Sequence, residues 1–170
     1  MALIFAEILM IKIMEAKKHY RPGPLGGLMD EYERTLKELQ QLLSKISEED
    51  YVRISDPVTA DPDCRSVQTI LSHVISSGYG YATYIRDALE IKTARPKIPL
   101  LPKAKAIGGL DEMFGYSLET FEGRWDMDEE KMLTTVFKTH WSEYDIESML
   151  EHAIVHILRH RRQIEKLMMR

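Results

Sequence analysis

The stretch DIESMLEHAIVHILRHRRQIEKLM, residues 145–168, decides the fold. Asp145 is an N-cap residue, and Tyr144 and Met149 stand at the two positions of a hydrophobic staple. Apolar residues then recur at three- and four-residue steps as far as Leu167 and Met168, the period of an amphipathic helix. With Met149 at zero and about 100° per residue, Met149, Leu150, Ala153, Ile154 and Ile157 cover about 0–140° of the wheel. On the same wheel His160 falls at about 20°, His156 at about 340° and His152 at about 300°. Three histidines thus form one stripe on the seam between core and solvent, with His156 and His160 closest to the core. Imidazoles one helical turn apart can reach a single transition-metal ion without distorting the helix.

A pair on one helix leaves at least one ligand to be found. Upstream, Ser66 is a candidate cap for a helix carrying Val67, Ile70, Leu71, Val74, Tyr81, Ile85 and Leu89 on one face. His73 lies in its second turn, on the border of the apolar arc. If this helix and the last one are antiparallel and of similar length, His73 falls opposite the region of His160. That geometry favours His73, His156 and His160 over a set containing His152. His19 and His140 fall outside it and read as loop or surface residues.

The rest of the chain supplies two more helices. Leu28, Tyr32, Leu36, Leu39, Leu42, Leu43 and Ile46 form an apolar stripe that follows the breaker Arg21-Pro22-Gly23-Pro24 and ends in the Ser47–Asp50 run. A shorter helix is expected from about Leu110 to Phe121. Between it and the Ser66-capped helix, Lys92 to Gly109 holds Pro96, Pro99 and Pro102 and reads as a long irregular connection. Leu133 to Trp141 carries Thr134, Thr135, Val136 and Phe137, a composition suited to a short extended segment. Gly78 and Gly80 weaken the second helix by about 1 kcal/mol each relative to alanine. The expectation is an all-α four-helix bundle, one domain over residues 23–170, preceded by an N-terminal extension over 1–22.

Composition narrows the function. With 170 residues, 44% apolar, 29% charged and a net charge of −4, the chain has the make-up of a soluble globular domain and no broad cationic surface for nucleic acid. The apolar start MALIFAEILMIKIM is too short to span a bilayer and is interrupted by Glu7, so no membrane role is expected, and Met14 is a second candidate start. A lone Cys64 excludes an intrachain disulfide and fits the cytoplasm. Glu147 and Glu151 read as solvated helix charges. Tyr79, Tyr81 and Tyr84 read as core and rim packing, and Arg159, Arg161 and Arg162 as cations that complement the helix dipole. No phosphate loop, nucleophile elbow or cysteine pair is present.

The segment His156-Ile157-Leu158-Arg159-His160-Arg161-Arg162-Gln163 resembles the closing motif of the DinB-like (YfiT-like) metalloenzymes, a His, three residues, a second His and then Arg-Gly-Gln, with Arg162 in place of the glycine. Ile70-Leu71-Ser72-His73-Val74 resembles the same family's second-helix motif. The resemblance runs from about Gly23 to Arg170. It implies up-down-down-up connectivity and a divalent transition-metal ion, nickel or zinc foremost, held by His73, His156 and His160, with His152 as an alternative ligand or close neighbour. It also implies a hydrolase or thiol transferase acting on a small molecule, a low-molecular-weight thiol among the options, and a homodimer. The rival expectation is a noncatalytic helical module whose histidines are structural.

Overall fold

The computed structural model describes residues 20–169. Most of the N-terminal extension, with Met14 and His19, lies outside them. The chain is mostly helical: α1 (Gly23–Leu43), α2 (Glu48–Val52), α3 (Val67–Ala88), α4 (Lys103–Glu119), α5 (Glu129–Thr134) and α6 (Ile146–Met168). A two-residue antiparallel pair, β1 (Phe137–Lys138) and β2 (Glu143–Tyr144), joins Phe137 to Tyr144 and Lys138 to Glu143. No helix among the described residues is long and apolar enough to cross a membrane.

The helix starts follow local chemistry. Asp145 accepts a hydrogen bond from the Ser148 amide and opens α6. Ser66 and Thr69 form a reciprocal capping box at α3, each side chain accepting from the other's amide at 3.1 Å. At α1 the incoming chain is clamped: Arg21 pairs with Asp30 at 2.5 Å and Glu33 at 2.7 Å. That clamp needs a glycine at position 26, where a Cβ would stand 2.5 Å from the Arg21 carbonyl carbon.

Three boundaries differ from the sequence expectation. The first helix stops at Leu43 rather than running on into the Ser47–Asp50 segment, because Ser47 caps a separate short helix, accepting from the Asp50 amide at 3.0 Å. The connection expected as far as Gly109 ends at Pro102, and α4 begins at Lys103. Pro102 lies just ahead of the helix, where its missing N–H costs no helical hydrogen bond. Gly109, expected at the end of that connection, is a packing residue inside α4: a Cβ there would approach Ile75 Cδ1 to 3.1 Å and Leu101 Cδ1 to 3.2 Å. The extended segment is confined to Phe137–Lys138, since Asp128 caps α5 and draws Leu133 and Thr134 into it.

α1 packs on α4 and α6, and α3 packs on the same two helices, around one core that includes Leu25, Leu39, Ile70, Met113, Met149 and Ile164. Gln40 on α1 bonds Asp111 on α4, and the Tyr32 hydroxyl approaches the Met113 sulfur. Between α3 and α4, Gly78 faces Met113, and the buried Arg86 bonds Thr120 and stacks over the Tyr116 ring at 3.5 Å. Gly78 costs helix propensity and in return lets α3 and α4 approach: a Cβ at this position would fall 2.3 Å from Met113 Sδ.

Candidate metal centre

α3 and α6 place three histidines at one point. His73 Nε2 lies 3.1 Å from His156 Nε2, and His160 Nε2 lies 3.2 Å from the same atom. One nitrogen from each of the three falls within 4.8 Å of the other two, an arrangement that could hold a metal ion. The helical wheel explains why α6 supplies two of them. His156 and His160 stand inside the buried arc and are 7% and 8% exposed, while His152, further round, is half-buried. His73 is brought opposite by the packing of α3 on α6.

The outer nitrogens of the rings are anchored. His73 Nδ1 lies 3.1 Å from the Asp63 carboxylate, and His160 Nδ1 lies 3.0 Å from Gln163 Oε1. A carboxylate and an amide oxygen only accept, so each Nδ1 carries the proton and each Nε2 presents its lone pair inward. A single proton on His156 Nε2 can serve only one of its two neighbours. The remaining contact would set two lone pairs against each other at hydrogen-bond distance. A cation at the common point satisfies all three, and tetrahedral nitrogen donors at about 2.0–2.1 Å from an ion stand about 3.3 Å apart. The residues present therefore fit a divalent ion with nitrogen donors.

Burial favours the neutral form of two of the donors, His156 and His160. Burial, helped by the neighbouring His160 and His73 rings, lowers the His156 pKa to about 3. Burial also lowers His160, partly opposed by its bond to Gln163, and lowers His152 together with the Arg159 charge. Neutral imidazole is the form that binds metal.

Beside the histidines is a pocket of about 240 Å³ lined by His73, His156, His152, Tyr81, Tyr84 and Trp141, with Ser77, Gly80, Arg95 and His140 completing its wall. His152 does not reach the three-nitrogen cluster. Its ring faces Tyr81 at 5.2 Å, and its Nδ1 lies 3.2 Å from the Tyr144 hydroxyl. His140, read from sequence as a loop residue, lies on the β1–β2 turn and borders this pocket, with Nδ1 3.0 Å from the Tyr84 hydroxyl. Tyr81 and Tyr84 are pocket walls as well as packing residues. Tyr79 turns the other way, onto Tyr116. A signal for the α3 wall was available in the sequence: His73, Ser77, Gly80 and Tyr84 follow the i, i+4, i+7, i+11 stripe of one helix face. Arg95, His140 and Trp141 come from loops and leave no periodic trace.

Other residues depart from or extend the expectation. Glu151 is exposed, but Glu147 is half-buried, with Oε2 lacking a hydrogen-bond partner; burial, with Glu129 nearby, raises its pKa. Arg161 pairs with Glu38 on α1 and so ties two helices together besides meeting the helix dipole. The Cys64 thiol lies 3.7 Å from Gln163 Oε1, and burial raises its pKa, which disfavours the reactive thiolate.

A search of the curated proteins finds no match. The sequence model of the DinB superfamily matches residues 31–164, which takes in all three clustered histidines, the whole of α3 and most of α6. The chain belongs to the DinB superfamily.

Proposed function

We propose that the protein is a metal-dependent enzyme in which His73, His156 and His160 hold one divalent transition-metal ion and the adjoining pocket receives a small molecule. The observation that carries this reading is the convergence of three Nε2 atoms, two of them fixed as lone-pair donors by Asp63 and Gln163. Neutral donors leave the charge of an ion uncancelled, and nickel and zinc both accept three imidazoles. When bound, such an ion acidifies a water or a thiol beside it, the chemistry that hydrolysis and thiol transfer share.

The chain's own groups supply the rest. Asp63 and Gln163 hold two rings in the donating tautomer. Tyr81 stands edge-on to His156 at 5.5 Å and, with Trp141, lines the pocket beside the cluster. Burial raises the Tyr81 pKa to about 12, so its hydroxyl stays neutral and available for hydrogen bonding. A low-molecular-weight thiol fits the proposal as substrate or co-substrate. The proposed connectivity is up-down-down-up. It is supported by the order of contacts, since residues 75, 78 and 86 of α3 meet 109 and 113 of α4 and its C-cap residue 120, while residues 32 and 40 of α1 meet 113 and 111.

Elemental analysis of protein purified without chelators tests the proposal. Near-stoichiometric nickel, zinc or a similar ion is expected in the wild type and none in folded His156→Ala. Wild-type protein that arrives metal-free and takes up no ion on titration would leave the noncatalytic module as the better reading.

A further inference from the structure

The pocket beside the histidines carries an exposed guanidinium, Arg95, that no carboxylate among the described residues pairs with. Arg95 comes from the segment between α3 and α4, a stretch tied down where the Thr93 hydroxyl meets Tyr116 and where the Leu101 amide bonds Ser72. Its guanidinium lies across α3 at Gly80, and the absence of a side chain there is what admits it: a Cβ would stand 2.9 Å from Arg95 Cζ and 3.1 Å from its NH1. One terminal nitrogen is fixed by the Ser76 carbonyl at 2.9 Å and the Ser76 hydroxyl at 3.2 Å. Among the described residues no carboxylate pairs with Arg95, and no aspartate or glutamate lines the pocket, although the chain as a whole carries a net charge of −4.

Apart from Ser77 and Gly80, the remaining walls are aromatic rings and imidazoles. Trp141 meets Tyr84 at 5.6 Å and 81°, His140 at 4.6 Å and 82°, and Tyr81 at 6.3 Å and 72°, all edge-to-face arrangements. The volume, about 240 Å³, corresponds to about eight waters, room for a molecule with one ring.

We propose that this pocket binds a small aromatic monocarboxylate, with its ring against Tyr81, Tyr84 and Trp141 and its carboxylate on the Arg95 guanidinium. With no metal bound, Arg95 is the one permanently charged side chain on the wall, and it balances one negative charge. A planar carboxylate also matches the fork of a guanidinium already oriented through its other nitrogen. The inference deepens the proposed function and rests on it only for the ligand's part in a reaction, since the contact with Arg95 requires no metal.

Benzoate is the probe, titrated by calorimetry into the full chain after chelation and dialysis, with benzamide and acetate as controls. Saturable benzoate binding is expected, and Arg95→Met should weaken it by about tenfold or more, the scale of a lost charge-assisted hydrogen bond. Benzamide should bind more weakly and be indifferent to that substitution, and acetate should bind more weakly than benzoate. Gly80→Ala provides a second test, because it favours the helix while pushing the guanidinium aside. Benzoate affinity should fall with no loss of melting temperature. No saturation with benzoate, equal affinity in Arg95→Met, or acetate binding as tightly as benzoate would each overturn the proposal. Metal titration of Arg95→Met separates the two readings: if neither it nor the wild type takes up an ion while benzoate binding still depends on Arg95, the metal reading falls and this one stands.

Discussion

Replacing His156 with glutamine should make the metal-free protein markedly less sensitive to acid. An imidazole that titrates at 6.5 in the unfolded chain titrates at about 3 when held in this cluster. Between those values the unfolded state binds the proton and the folded state refuses it, so stability is greatest above pH 6.5 and falls as the solution is acidified toward pH 3. Each unit costs about 1.4 kcal/mol, so a drop to about pH 5 removes about 2 kcal/mol through this one residue. His160 and His152 are lowered in the same direction but are present in both proteins, and to first order their contributions cancel in the comparison. Urea unfolding of chelated wild type and His156→Gln, at about pH 7.5 and about pH 5, reads the difference directly. The wild type should lose about 2 kcal/mol more than the variant. Equal losses would refute the claim that His156 is held neutral by burial among the other rings.

Three further substitutions test the packing and the histidine anchors. Gly78→Ala gains about 1 kcal/mol of helix propensity but places a methyl 2.3 Å from Met113 Sδ, and overpacking of about 1–3 kcal/mol should leave a net loss. Gly115→Ala, where a Cβ meets nothing within 4 Å, should instead raise the melting temperature by about 2–4 °C. Asp63→Ala frees the His73 ring to turn and should weaken nickel or zinc binding by about 10–100-fold without removing a ligand, as isothermal titration would record.

The last helix was legible because its cap, its apolar period and its histidine stripe are all local properties of residues 145–168. His73 could be placed opposite them because two helices of similar length leave few choices of partner. The N-terminal half of α4 was not legible. Pro102 and the Gly108–Gly109 pair look like breakers until tertiary contacts show the proline just outside the helix and Gly109 pressed against Ile75 and Leu101. Gly80 likewise reads as a defect in α3 until Arg95 is seen lying across it. The pocket walls from Arg95, His140 and Trp141 are carried by loops, whose side chains reach α3 and α6 only through packing between distant parts of the chain. Tautomers were also out of reach, because the acceptors Asp63 and Gln163 lie ten residues before one histidine and three residues after another.

X-ray absorption at the metal edge of nickel- or zinc-loaded protein tests the central claim most directly. The account predicts about three imidazole nitrogens at about 2.0–2.1 Å from the ion. It also predicts that one of those nitrogens disappears in His73→Ala. A spectrum showing oxygen neighbours alone, or one unchanged by removal of His73, would contradict it.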